Sequence, residues 1–158
     1  MIPYQFQRQM FPSHDQGGVN AEQIIMGTFA VETDMGSFIR QRNARGDFCL
    51  GRGIGSQEPL TYEWLHDHYL DNHPSLKRKI LSVLNYKYFP DADALMWDLR
   101  LCVVMTRVKY LTIEEPLPKA DDIEGMARYW EHYYQGDPHE RIGCTQEDFI
   151  KKYKKYVL

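Results

Sequence analysis

The chain has 158 residues, of which 43% are hydrophobic and 26% charged, and its formal net charge is -3. This length and composition are typical of one soluble globular domain and exclude a disordered or low-complexity chain. The charge argues against nucleic acid as the main partner, because no broad basic surface is available to displace counterions from phosphates.

Residues 1–19 predict an irregular N-terminal arm, because prolines and a glycine pair interrupt any regular element: Pro3, Pro12, Gly17 and Gly18. The arm lacks the apolar segment of a secretory signal, and no stretch of the chain approaches the length of a membrane span. We therefore expect a chain that is made in a cytoplasm without a signal peptide and does not insert into a membrane. Residues 20–158 are expected to form a single domain.

The first predicted helix begins at Ala21, where Asn20 is a good N-cap, and ends at Gly36. Helical spacing places four residues on one face: Ile25, Thr28, Phe29 and Glu32. Glu32 therefore continues an apolar stripe. A carboxyl group in apolar surroundings has a raised pKa and can act as a general acid. The alternative is a glutamate at the rim of the core with its carboxylate in water.

A glycine-rich segment follows this helix: Gly46, Gly51, Gly53 and Gly55. Glycine costs extra backbone entropy in a helix or a strand, so the segment predicts a loop or a short hairpin. Such a loop lets backbone atoms approach a ligand closely.

Two further helices are predicted after the loop, one capped by Thr61 and ending near Asn72, the other with Pro74 favouring its first turn. The second half of the first of these helices and the residue after it carry five candidate metal ligands: His66, Asp67, His68, Asp71 and His73. Their spacing lacks the H-E-x-x-H pairing that places two ligands one turn apart. We therefore expect a solvated helix end, with no metal and no other cofactor.

The stretch from Ala92 to about Ile113 predicts the most hydrophobic helix, which is apolar nearly all round and therefore buried on most sides. Asp121 and Asp122 cap the next helix, whose apolar stripe comprises Ile123, Met126, Ala127, Trp130, Tyr133 and Tyr134. Thr145 with Asp148 starts the last helix. Its lysines predict a solvated face rather than a binding patch: Lys151, Lys152, Lys154 and Lys155.

Three motifs occur in order along the chain: a helix ending in Glu32 and Thr33, a loop with a Gly-Ile-Gly core, and a Pro-x-Thr at Pro59 that starts the next helix. In these motifs the chain resembles the lysozyme-like superfamily, and especially the soluble lytic transglycosylases and their bacteriophage relatives. The C-terminal half resembles, more weakly, the helices that close the substrate cleft in phage members. The resemblance implies a mainly α, lysozyme-like domain with a central buried helix and the Gly-rich loop lining a cleft.

The resemblance also implies a function, namely cleavage of the β-1,4 bond between N-acetylmuramic acid and N-acetylglucosamine in peptidoglycan. Glu32 would act first as acid and then as base. Thr33 and a loop glutamine would bind substrate, and a tyrosine from the later region, Tyr110 or Tyr134, would approach the acid. Where family members carry that glutamine, an ungapped match places Ser56, with Gln57 one residue later.

A second carboxylate decides between two enzymatic routes. A transglycosylase needs only Glu32, whereas a hydrolytic muramidase needs a partner, which Glu58, Asp34 or Asp47 would supply. Glu58 matches an acidic residue of the phage relatives. A third alternative is a weakly active or inactive virion structural protein that keeps the lysozyme-like scaffold, because a fold does not guarantee an activity.

A peptidoglycan enzyme without a signal peptide needs another route to the wall. A bacteriophage provides one, either in the virion or by release during lysis, so we expect a viral protein whose partners are glycan strands and other virion proteins. The three cysteines, Cys49, Cys102 and Cys144, are an odd number at wide spacings, which fits reduced thiols.

Overall fold

The computed structural model describes residues 16–42, 46–135 and 144–158, and within them the chain is mainly helical, as predicted. In chain order the elements are α1 (Gln16–Thr33), β1 (Arg40–Arg42), β2 (Phe48–Arg52), α2 (Pro59–Trp64), α3 (Pro74–Leu84), α4 (Leu99–Leu111), α5 (Ile123–Tyr133) and α6 (Gln146–Tyr156). The two strands form an antiparallel hairpin. A π-helical turn (Leu65–Tyr69) continues α2, and a 3-10 turn (Ala92–Met96) precedes α4.

Helix α1 already includes Gln16, so the predicted start at Ala21 was wrong. Asn20, the predicted N-cap, lies inside the helix, and its Oδ1 accepts a hydrogen bond of 2.9 Å from the backbone nitrogen of Ala120. A long-range contact therefore uses the side chain that the local pattern assigned to a cap. The last residues of the predicted arm are helical, and the arm before Gln16 lies outside the described residues.

The C-terminal end of α1 is sharply defined, as the glycine at position 36 predicted. Three successive residues have left-handed backbone conformations, Asp34 (φ 50), Met35 (φ 56) and Gly36 (φ 85). The Gly36 nitrogen donates to the Thr33 hydroxyl at 3.0 Å, and the Met35 nitrogen donates to the Phe29 carbonyl at 3.1 Å. These bonds satisfy groups that a helix end would otherwise leave unpaired. Glu32 therefore lies in the last turn, next to a fixed change of chain direction.

Helix α4 is the buried helix that the sequence predicted, but it is shorter. Eight of its residues are buried: Leu101, Cys102, Val103, Val104, Met105, Thr106, Val108 and Tyr110. Asp98 accepts hydrogen bonds from the backbone nitrogens of Arg100 (2.9 Å) and Leu101 (3.3 Å), and this N-cap begins the helix after the 3-10 turn. The prediction of one continuous helix from Ala92 to about Ile113 was therefore wrong at its start, whereas its end lies within two residues of the predicted one.

The remaining helix starts follow their local signals closely. Pro74 begins α3, Asp122 caps α5 and Thr145 with Asp148 forms a capping box on α6, all as predicted. Helix α2 begins at Pro59 rather than after Thr61, because proline fits the first turn, where its missing N–H is not needed.

Helix α1 packs against α4, α5 and α6. Its approach to α6 is close: a Cβ atom added at Gly27 would lie 2.3 Å from Cζ of Phe149. Larger residues of α1 at this point would push the helices apart. The turn that carries Glu32 is therefore surrounded by neighbouring helices. None of the helices in the described part of the chain has both the length and the apolar character needed to cross a bilayer.

Candidate active site

Glu32 lies at the end of the predicted apolar stripe. Ile25, Thr28 and Phe29 are buried, whereas Glu32 is half-buried. Its Oε1 accepts a hydrogen bond of 3.0 Å from the indole Nε1 of Trp130, which projects from α5. The carboxyl group is therefore held by a fixed donor and is largely removed from water, while the residue keeps some access to solvent.

Burial raises the pKa of Glu32 from its ordinary value of 4.5 to about 7. The hydrogen bond from Trp130 and the positive charges of Lys109 and Lys152 act in the opposite direction, because they favour the ionised form. Desolvation outweighs all three. Near neutral pH a substantial fraction of the molecules therefore carries a protonated Glu32, which is the form that a general acid needs.

The glycine-rich segment forms the end of β2 and the loop after it, and this loop is bound to two helices. The Thr33 hydroxyl donates to the Ile54 carbonyl at 2.8 Å, and the Tyr134 hydroxyl donates to the Gly55 carbonyl at 2.7 Å. A Cβ atom at Gly55 would lie 2.7 Å from Oγ1 of Thr106. Only glycine permits this approach to α4. The two hydrogen bonds fix the loop both to the end of the Glu32 helix and to the end of α5.

Three residues that the resemblance placed at the substrate, Thr33, Tyr134 and Tyr110, have different surroundings in the structure. Thr33 is fully buried, and its hydroxyl binds the loop, so it supports the site from within the protein. Tyr134 binds the loop, and burial raises the pKa of its phenol, which the charge of Glu32 raises further. Tyr110 is buried, and its hydroxyl forms a 2.7 Å hydrogen bond with Thr28. Both tyrosines are electrostatically coupled to Glu32, and Tyr134 is the one that binds the loop.

Gln57, not Ser56, carries its side chain into the interior. It is 3% exposed, and its Nε2 is 3.5 Å from the Met105 carbonyl of α4, while its Oε1 has no partner among the described residues. Ser56 is half-buried and has a left-handed backbone conformation (φ 49). The amide that the resemblance places at the sugar lies against the central helix here.

Glu58, the proposed second carboxylate, is exposed at the start of α2. Its charge and that of Glu32 both raise the pKa of Lys109, although burial of the ammonium group has the larger effect and lowers that pKa to about 8. Glu58 and Glu32 therefore share one cationic neighbour. The Lys109 Nζ donates to the Tyr134 carbonyl at 2.7 Å.

Lys152 corrects the prediction that the lysines of α6 form only a solvated face. Its ammonium group is half-buried, lies 3.2 Å from Oδ1 of Asp34 and donates to the Val31 carbonyl at 3.1 Å. Its Nζ also contacts Sγ of Cys144 at 3.7 Å. Asp34, one candidate for the second carboxylate, is thus ion-paired at the end of α1. Asp47, the other, is exposed beside β2.

The histidine cluster packs against neighbours on and beside α2. His68 stacks on Trp64 and His73 stacks on Tyr69. Across residues 16–42, 46–135 and 144–158, no three His, Cys, Asp or Glu side chains are grouped so that they could hold a metal ion. All three cysteines of the chain are free thiols.

Three side chains next to Glu32 were not predicted as site residues: Trp130, Lys109 and Lys152. Trp130 and Tyr134 are one turn apart on α5, and this spacing in an apolar stripe was the available signal for a shared role. Lys109 stands in an otherwise mostly apolar helix, which was a second signal. Nothing local distinguishes Lys152 from the other lysines of α6.

The arrangement combines a protonatable carboxyl group, an indole donor and two lysines beneath a loop that requires glycine. The carboxyl group can hold a proton near neutral pH, and the indole and the two lysines favour the carboxylate that is left when the proton is lost. No family model, no curated protein and no solved structure matches this chain.

Proposed function

We propose that this protein is a lysozyme-like glycosidase that cleaves the β-1,4 bond between N-acetylmuramic acid and N-acetylglucosamine in peptidoglycan, with Glu32 as its acid and base. The observation that carries the proposal is the desolvated carboxyl group of Glu32, whose pKa is about 7, at a helix end tied to a Gly-Ile-Gly loop. The mainly helical fold and the order of the three motifs support it.

In the proposed reaction, the protonated Glu32 donates its proton to the glycosidic oxygen as the bond to the muramyl C1 breaks. Positive charge develops on the sugar ring, and Glu32 is left as a carboxylate. The Trp130 indole, 3.0 Å from Oε1, remains a donor to this carboxylate and stabilises it. Glu32 then takes the proton of a muramyl hydroxyl, whose oxygen closes an anhydro ring on C1. The acid form of Glu32 is restored.

The surroundings of the other carboxylates favour this single-acid route over hydrolysis. A hydrolytic enzyme needs a second carboxylate that activates water or attacks the sugar. Asp34 is paired with Lys152, and Glu58 is exposed at the start of α2 with no cap bond from its side chain.

The substrate and the fold together suggest where the protein acts. We propose a bacteriophage protein that is made in the host cytoplasm and reaches the wall either as part of the virion or during lysis. Its partners would be glycan strands and, in the first case, other virion proteins. Immunodetection of the protein in purified particles would separate the two routes.

The products of digestion test the single-acid route. Purified peptidoglycan treated with the wild-type protein should yield anhydromuropeptides, which are lighter by one water than hydrolysed ones. Glu58→Gln should reduce the rate by less than tenfold and leave the products unchanged, because Glu58 is exposed and its charge acts on Lys109. Mass spectrometry of the soluble fragments measures both.

Other outcomes identify the alternatives. Reducing-end sugars that contain a full water, together with near-complete loss of activity in Glu58→Gln, would establish a muramidase with two carboxylates, because residues that act as a unit fail together. No soluble fragments from any wall type would favour a structural virion protein. The burial of Gln57 against α4 is the observation that favours this second candidate, because its amide is turned toward the core.

A further inference from the structure

Lys109 occupies an unusual position for a lysine on the buried helix α4. It is half-buried, and its Nζ donates to the carbonyl of Tyr134 at 2.7 Å and lies 3.8 Å from the centre of the Tyr134 ring. This carbonyl follows the last residue of α5, where the helix dipole is negative and favours a cation. The hydrogen bond and the aromatic face together fix the position of the ammonium group.

The turn of α5 that binds Lys109 also holds the acid. Tyr134 donates to the Gly55 carbonyl of the loop, and Trp130, one turn earlier on the same helix, donates to Glu32. Lys109 is therefore anchored to the same rigid turn that fixes the carboxyl group and the loop. A cation on a flexible surface chain would have no such fixed relation to Glu32.

The charges that act on Glu32 come from every element packed around it. Its positively charged neighbours are Lys109 on α4 and Lys152 on α6, and the other titratable groups coupled to it are Tyr110 on α4, Tyr134 at the end of α5 and Cys144 before α6. Burial raises the pKa of both phenols and of the thiol, so these groups stay uncharged near neutral pH.

Lys109 and Lys152 differ in their ion pairing. Lys152 is paired with Asp34, whereas Lys109 forms no ion pair within residues 16–42, 46–135 and 144–158 and feels the charges of Glu32 and Glu58. Both lysines act on Glu32, but the charge of Lys152 is shared with Asp34, whereas that of Lys109 is not shared with an ion-pair partner among those residues.

We propose that Lys109 is a positioning residue for Glu32, with an anchored ammonium group that stabilises the carboxylate of Glu32 between the two proton transfers. Lys109 keeps its own protons throughout. Glu32 loses its proton to the leaving oxygen and regains one from the muramyl hydroxyl. The catalytic consequence rests on the proposed function, whereas the coupling between the two charges exists in the protein without substrate.

The coupling is measured by titrating the Glu32 carboxyl carbon by NMR in the full chain. Lys109→Met should move the midpoint upward by about one pH unit, because removal of a neighbouring cation disfavours the carboxylate. Lys109→Arg should keep the wild-type midpoint. Lys79→Met, which removes an exposed lysine from α3, serves as the matched control and should change nothing.

A reciprocal titration does not depend on the folding of the Lys109 variants. Glu32→Gln should lower the midpoint of the Lys109 side chain by the same amount, because coupling between two sites is equal in both directions. An unchanged Glu32 midpoint in a folded Lys109→Met, or an unchanged Lys109 midpoint in Glu32→Gln, overturns the proposal. A purely structural Lys109 would move neither midpoint.

The same variants separate this inference from the proposed function. Intact coupling in a protein that releases no muropeptides would contradict the glycosidase and leave the charge pair in place. Cleavage without coupling would support the glycosidase and overturn the role of Lys109. If both coupling and cleavage are observed, the pH above which the cleavage rate falls should be higher in Lys109→Met than in the wild type. The maximal rate of this variant should be lower.

Discussion

Glu32→Gln should reduce peptidoglycan cleavage by about 1,000-fold while the fold is retained, because the amide keeps the shape of the side chain but cannot release a proton. The Trp130 indole can still donate to the amide oxygen, so the local packing has no reason to change. Release of soluble muropeptides from purified walls and loss of turbidity by permeabilised cells measure the effect. Glu124→Gln, at an exposed position in the first turn of α5, is the matched control and should cleave like the wild type.

The stability of Glu32→Gln provides an internal check on this variant. The raised pKa means that the native state binds the Glu32 proton more tightly than the unfolded chain, so this contribution to stability is complete below pH 4.5 and is lost as pH rises through about 7. The amide in Glu32→Gln does not ionise, so this variant does not lose stability in this way as pH rises. At pH 8 the variant should therefore be more stable than the wild type by about 3 kcal/mol. Undiminished cleavage by this folded variant would remove Glu32 from the role of acid.

Gly53→Ala should destabilise the protein by about 3 kcal/mol, because two penalties act at one position. The residue has a left-handed backbone conformation (φ +68) that alanine adopts only with strain. Its added Cβ would also lie 2.3 Å from the Leu95 carbonyl oxygen and 2.6 Å from Sγ of Cys102. A backbone atom and a buried thiol cannot move aside cheaply. Denaturant unfolding followed by circular dichroism measures the loss.

Gly46→Ala is the matched control for this substitution. Gly46 has a similar backbone conformation (φ +84), but an added Cβ would meet no atom within 4 Å. It should therefore cost only the backbone strain, about 1 kcal/mol. Equal losses in the two variants would show that the loop after β2 does not approach the chain before α4 as closely as the structure has it.

The helix starts that the sequence predicted correctly all depend on local chemistry. The capping box of Thr145 and Asp148, the cap at Asp122 and the proline at position 74 act within one turn of the chain. The predicted start of α1 failed for the opposite reason. Asn20 has the side chain of a cap, yet its side-chain Oδ1 accepts a hydrogen bond from the backbone nitrogen of Ala120, which is far away in sequence. A local pattern cannot reveal that choice.

The candidate site likewise has features that the local sequence predicted and features that depend on tertiary packing. Periodicity alone predicted that Glu32 continues a buried stripe, and glycine content alone predicted a loop or hairpin beside it. The partners of Glu32 come from helices that are distant in sequence, so Trp130 and Lys109 became visible only when α4 and α5 were brought against α1. The orientation of Gln57 toward Met105 likewise depends on tertiary packing, since Ser56 and Gln57 were equally compatible with the motif.

The pH dependence of peptidoglycan cleavage by the wild-type protein tests most directly the claim that a protonated Glu32 is the acid. The competent form is the protonated one, so the rate should be highest below pH 7 and fall about tenfold for each further pH unit above the pKa of about 7. Release of muropeptides from purified walls between pH 5 and pH 9 is the quantity to measure. A rate that stays flat across this range, or an absence of release at every pH, would contradict it.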